Sequence, residues 1–160
     1  IETIRTPHHI VCLEPYTFIE QDDLHELLEL ADDLNLLLCE AIHHSFTQDT
    51  LIKMRSLFSM ISLILNHYQE VEDMALIISE FAMMVNQNKE DFLNLSSEQI
   101  VLIEGFSHNF ERWLKVLFIQ GGAEIGFMNR SMRADMETIR SMTQPQLESS
   151  QIDLDAIFNF

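Results

Sequence analysis

The sequence predicts an all-α fold, an up-and-down bundle of four or five antiparallel helices with an extended N-terminal arm and a C-terminal tail. Three observations carry this. Apolar residues recur at three- and four-residue spacing over most of the chain. Helix-capping pairs stand where those stripes begin, and the 160 residues include only 4 Gly and 3 Pro to interrupt them. A hydrophobic content of 47% at this length supplies the core of one ordinary domain without help from a metal or a disulfide framework.

Residues 1–16 hold Pro7 and Pro15 around the short apolar run 10–13, which reads as an extended arm packed across the bundle. The bundle itself occupies residues 17–142. Thr17 followed by Glu20 has capping-box spacing, and Leu24, Leu27, Ala31, Leu34, Leu38 and Ile42 carry the first helix to about Phe46. Asp22, Asp23 and Glu26 lie in its early turns, where carboxylates meet the positive end of the helix dipole. Thr47 caps the second helix, with Phe46 and Leu51 as a hydrophobic staple and Met54, Phe58, Ile61, Leu65 and Tyr68 at helical spacing.

That periodicity runs on through Val71, Ala75, Ile78, Ala82 and Val85 without Gly or Pro, so a bend near residues 66–69 and one long helix are both compatible with it. Ser96 and Gln99 form a further capping box, with Leu95 and Ile100 as staple and Ile103, Phe110, Leu114 and Leu117 as stripe. Gly121 and Gly122 then loosen the chain before a methionine-rich helix that ends near Met142, ahead of Pro145. Residues 143–160 form a polar linker followed by an acidic and aromatic tail.

The net charge of −17 repels phosphate backbones and anionic lipid surfaces, and no basic stripe offsets it, which excludes nucleic acid and membrane surfaces as partners. No apolar run approaches the roughly 18 residues of a membrane span. Cys12 and Cys39 lack metal-ligand spacing and are too few for a disulfide framework, so a reducing compartment, the cytoplasm, is expected. The chain starts at Ile1 rather than Met, as an excised piece would. The charge is uneven: no Lys or Arg lies between Arg5 and Lys53, whereas Arg112, Lys115, Arg130, Arg133 and Arg140 come late. A solvated acidic face is the simple reading, and a steering surface for a basic partner the sharper one.

No nucleophile elbow, phosphate-cradling loop or zinc-protease motif is present, and no cofactor is implied. Glu40 and His43 have the Glu-x-x-His spacing that places carboxylate and imidazole on one helical face, and they resemble half of a ferritin-like di-iron site. The second Glu-x-x-His of that family is missing, and a histidine at the C-terminal end of a helix is favoured there by the dipole alone. Met128, Met132 and Met136 form a narrow stripe with Arg130 and Arg133 beside it, suited to self-association as a homodimer or to closing the bundle edge.

His108 lies in the middle of a predicted helix, one residue after Ser107, with Arg112 and Lys115 one and two turns on. In outline this resembles a histidine phosphotransfer domain, which would make His108 the phosphoacceptor; Glu111 and Arg112 stand where that family has Lys and Gly. Residues 152–160, IDLDAIFNF, are similar to the tail by which chemotaxis phosphatases of the CheZ type dock on their response regulator. The resemblance implies that Ile152, Leu154, Ile157, Phe158 and Phe160 bind a protein partner such as a response regulator. The Asp-x-x-x-Gln of that family's catalytic helix has no counterpart here. Together these features lead to the expectation of a non-enzymatic regulatory or adaptor bundle in two-component signalling. The alternatives are a phosphorelay or phosphatase component and a carboxylate–histidine metal protein.

Overall fold

The structure is a computed structural model in which residues 13–143 are described. Among these residues six helices pack around one core: α1 (Gln21–His44), α2 (Gln48–Leu65), α3 (Glu72–Gln87), the short α4 (Lys89–Leu93), α5 (Ser97–Lys115) and α6 (Asn129–Met142). A 3-10 turn, Gln69–Val71, joins α2 to α3, and a π-helical turn, Val116–Gln120, extends α5. No strand occurs among the described residues.

Two starts follow from local chemistry. The Thr47 hydroxyl accepts the Thr50 N–H at 3.1 Å and the Ser96 hydroxyl accepts the Gln99 N–H at 3.2 Å, and in return each cap residue's backbone N–H donates to the side-chain oxygen of the third helical residue. Both are capping boxes, and they set the registers of α2 and α5. The other boundaries answer to tertiary packing. The first helix begins at Gln21 and not at the Thr17 spacing, because the arm stays extended through Glu20, with Ile19 buried, and the Glu20 N–H goes to the Tyr68 hydroxyl at 3.1 Å. That hydroxyl in turn donates to Asp23. Burial, reinforced by the hydrogen bond to Asp23, pushes the Tyr68 phenol above its ordinary pKa. Tyr68 is thereby drawn away from α2, whose last residue is Leu65; the chain reverses there, and α2 and α3 are two antiparallel helices. At the far end of α1, Ser45 takes a positive φ of 65° with an extended ψ of 167°, which stops the helix two residues short of Phe46.

α1 packs against α5 and α2, α2 against α3, and α6 lies against both α5 and α3. Antiparallel order is fixed by polar links: Ser97 Oγ donates to the Ile42 carbonyl at 2.6 Å, whereas farther along α5 Ser107 and Glu111 meet Asn35. At the centre the Phe81 ring stacks on Phe106 at 4.8 Å and 18°, and touches Phe58 at 4.5 Å and Phe92 at 6.3 Å. All four side chains are fully buried. A second aromatic chain, Trp113, Phe118, Phe18 and Tyr68, ties the end of α5 to the arm and to the α2–α3 turn, with successive centroids 5.8, 5.4 and 6.1 Å apart.

The described part of the arm is held by two backbone bonds. The π turn sends the Gly121 N–H to the Val116 carbonyl, leaving the Leu117 carbonyl to accept the Tyr16 N–H at 2.8 Å, while the Gly122 N–H reaches the Leu13 carbonyl at 2.9 Å. Gly121, at φ 80°, is required twice over: a Cβ there would meet the Leu13 carbonyl oxygen at 2.8 Å and the Pro15 ring at 2.9 Å.

Phe81→Ala is expected to lower unfolding free energy by about 3–5 kcal/mol, measured by urea denaturation, because it opens a cavity in contact with three other rings. A loss below about 1 kcal/mol would show that the bundle does not depend on this centre. Gly121→Ala should cost about 1–3 kcal/mol and expose the arm to proteolysis, and an unchanged digestion rate would contradict the anchoring described.

Candidate functional site

The outer faces of α2 and α3 form a shallow seam whose floor is small and whose rim is apolar. Its central recess, about 480 Å³, is lined on α2 by Arg55, Ser56, Ser59, Ser62, Leu63 and Asn66, and on α3 by Ser79, Ala82, Met83 and Asn86. A second recess of about 510 Å³ continues it over Ala75 and Leu76 to Glu72 and Asp73. A narrow cleft of about 40 Å³ continues it the other way past Ile52 to Lys89. The seam thus runs the whole length of α2, about 27 Å at 1.5 Å per residue.

This face is poor in carboxylates along most of its length, with Glu72 and Asp73 at one end. In a chain of net charge −17, residues 50–69 contain no Asp or Glu. Across the seam, Glu80 is the one acid between residues 74 and 89, and it turns toward α6 to meet Arg133 at 3.5 Å and Arg140 at 3.8 Å. Of the nine exposed large hydrophobic residues among those described, four line the seam: Ile52 (52%), Leu63 (65%), Leu76 (52%) and Met83 (55%). Single exposed apolar side chains are ordinary, whereas a row of them along one face is a contiguous apolar feature of the surface. Arg55 is held across the seam by a 2.9 Å bond to Asn86 and has no carboxylate partner among the described residues. The serines on α2 recur every three residues, so their short side chains leave a bed into which another helix could settle.

The residues singled out by sequence are dispersed. His108 is exposed on α5, where its Nε2 lies 3.8 Å from the Glu104 carboxylate, and it shares a recess with Glu111, Arg112, Lys115 and Gln120. Exposure suits a phosphoacceptor, but carboxylates on both sides would repel a phosphoryl group. Glu111 is already engaged, accepting from Asn35 Nδ2 at 3.1 Å and pairing with Lys115 at 3.4 Å. Glu40 and His43 are both exposed near the end of α1, and no group of three or more His, Cys, Asp and Glu suited to a metal occurs among the described residues. Met132 and Met136 are fully buried beneath α6, so they close the bundle edge and present no free stripe. Met128 precedes the helix, half-buried in a left-handed conformation (φ 67°), and is not on its stripe. Ile152, Leu154, Ile157, Phe158 and Phe160 lie outside the described residues.

The seam was missed by reasoning from apolar periodicity, which looks inward. The signal that would have found it is the carboxylate-free run 50–69, read against the acidity of the whole. No helix among the described residues is long and apolar enough to cross a membrane. Comparisons with known protein families, curated proteins and solved structures give no match.

On the opposite side, Ser107, fully buried, donates to Asn35 Oδ1 at 2.6 Å, completing a polar chain from α5 through α1 back to Glu111. Asn35→Ala should cost about 1–3 kcal/mol in thermal or chemical unfolding, since it strands a buried hydroxyl, whereas the Asn35→Ala/Ser107→Ala pair should cost less than the sum of the two single changes. Simple additivity would mean that the chain is not coupled.

Proposed function

We propose that the protein is a non-enzymatic regulatory or adaptor bundle that works by binding protein, with the α2–α3 seam as its binding face. The observation that supports this is the row of exposed apolar side chains Ile52, Leu63, Leu76 and Met83 along a face whose middle carries no carboxylate, in a chain of net charge −17. The recesses along it are open and shallow, lined mainly by serine, alanine, asparagine and apolar side chains, with Arg55 in one and the carboxylates Glu72 and Asp73 in the other, and neither sets a nucleophile beside a base as a catalytic pocket needs. Two-component signalling in the cytoplasm is the setting favoured by the resemblance of residues 152–160 to a response-regulator docking tail, which on this reading supplies a second binding element.

The test is a photo-crosslinking side chain placed at Met83, with Leu36 on α1 as control; Leu36 is comparably exposed (64%) but flanked by Asp32, Asp33 and Glu40. In the source cell, residue 83 is expected to give a discrete polypeptide adduct that residue 36 does not, and that disappears when Ser59 is changed to Arg. Equal labelling at both positions, or none at residue 83, would remove the seam as a binding face.

A further inference from the structure

We infer that the occupant of the seam is a second copy of this chain, docked antiparallel about a two-fold axis near Ser59 and Ser79; this rests on the seam being the binding face. The argument comes from the seam's own polarity. One end carries Arg55 and Lys89 and the other carries Glu72 and Asp73, with an uncharged floor of Ser56, Ser59, Ser62 and Ser79 between them. An isologous contact places each patch on its two-fold mate, so a face with opposite charges at its two ends becomes self-complementary when the copies run antiparallel. Arg55 and Lys89 of one copy then stand over Glu72 and Asp73 of the other, twice per dimer.

The charge of the whole molecule sharpens the choice. Two copies of a −17 protein repel one another, and in the antiparallel arrangement the seam lets a copy approach without setting its lining carboxylates against each other. An acidic helix from another protein would satisfy Arg55 and Lys89 but would meet Glu72 and Asp73 with like charge. A basic one would have the opposite fault. The apolar rim fits the same geometry, because Ile52 and Met83 lie toward the basic end and Leu63 and Leu76 toward the acidic end. The two-fold therefore lays each pair of apolar side chains against the other, while the serines at the crossing allow the helices to approach closely.

Size sets the strength. A strip about 27 Å long and two helices wide buries about 500 Å² per copy, near the lower bound of specific interfaces, so the dimer should be reversible with a Kd on the order of 1–100 µM.

Sedimentation equilibrium of the full chain reads this directly. The mass is expected to rise with concentration from 18.7 kDa toward twice that value. Ser59→Arg should weaken association at least tenfold or so, since it drives two long charged side chains together at the axis. Arg55→Glu and Asp73→Arg should each weaken it roughly fivefold, and the double variant Arg55→Glu/Asp73→Arg should return to within about twofold of the parent, because it reverses one facing charge pair and leaves Lys89 opposite Glu72. Circular dichroism melting of each variant verifies that the bundle is intact, since all three positions lie on its surface. A protein that stays monomeric to about 500 µM would overturn the inference, being well above the expected Kd. So would failure of the double variant to recover. If residue 83 crosslinks to a different polypeptide while the chain remains monomeric, the seam is a binding face for another partner and only the self-pairing is lost.

Discussion

The stack of Phe81 on Phe106 is the contact on which the rest of the molecule depends. It joins α3 to α5 across the middle of the bundle, and Phe58 and Phe92 bring α2 and α4 to the same point. Charge gives this protein little cohesion. Most ion pairs among the described residues link positions three or four apart on one helix, are partly or fully open to water, and contribute little. The exception is Glu80 with Arg133 and Arg140, which pins α6 to α3. Apolar burial must therefore outweigh both chain entropy and the self-repulsion of seventeen net negative charges, and a centre of interlocking rings concentrates that burial in few residues.

The same helix that feeds the centre also builds the seam. On α2 the inward face offers Met54, Phe58, Ile61 and Leu65, all fully buried, while Ser59 and Leu63 face outward one step around the turn. α3 divides its labour likewise, with Phe81 inside, Met83 on the seam and Glu80 toward α6. A bundle can carry an apolar outer strip of this kind at no cost to its core because the helical period separates the two faces. What the strip gives up is the charge that keeps the remaining surface soluble.

How much of this the sequence disclosed depended on whether a signal was local. Thr47 and Ser96 announced their helices because a cap is settled by residues three apart. The start of α1 was misplaced, and the break between α2 and α3 left open, for one reason: both are decided by Tyr68 reaching Asp23 and Glu20 from more than forty residues away. The π turn answers to the arm in the same way. The central rings were half legible. Phe58 sat on a stripe, but Phe81, Phe92, Phe106 and Trp113 fell outside stripes drawn one residue wide, because these helices are covered on more than one side. Met132 and Met136 stood on a stripe that could have faced either way, and only the position of α6 between α3 and α5 shows that it faces in.

Trp113 has a practical consequence. It is the sole tryptophan of the chain, fully buried, with its indole 5.6 Å from the Phe110 ring and 5.8 Å from that of Phe118, and none of these three residues lines the seam. Its emission therefore watches the junction of α5 with the arm and is blind to what covers α2 and α3. The molecule carries an intrinsic optical gauge of its folding that is indifferent to its company, so the two equilibria can be followed separately in one sample.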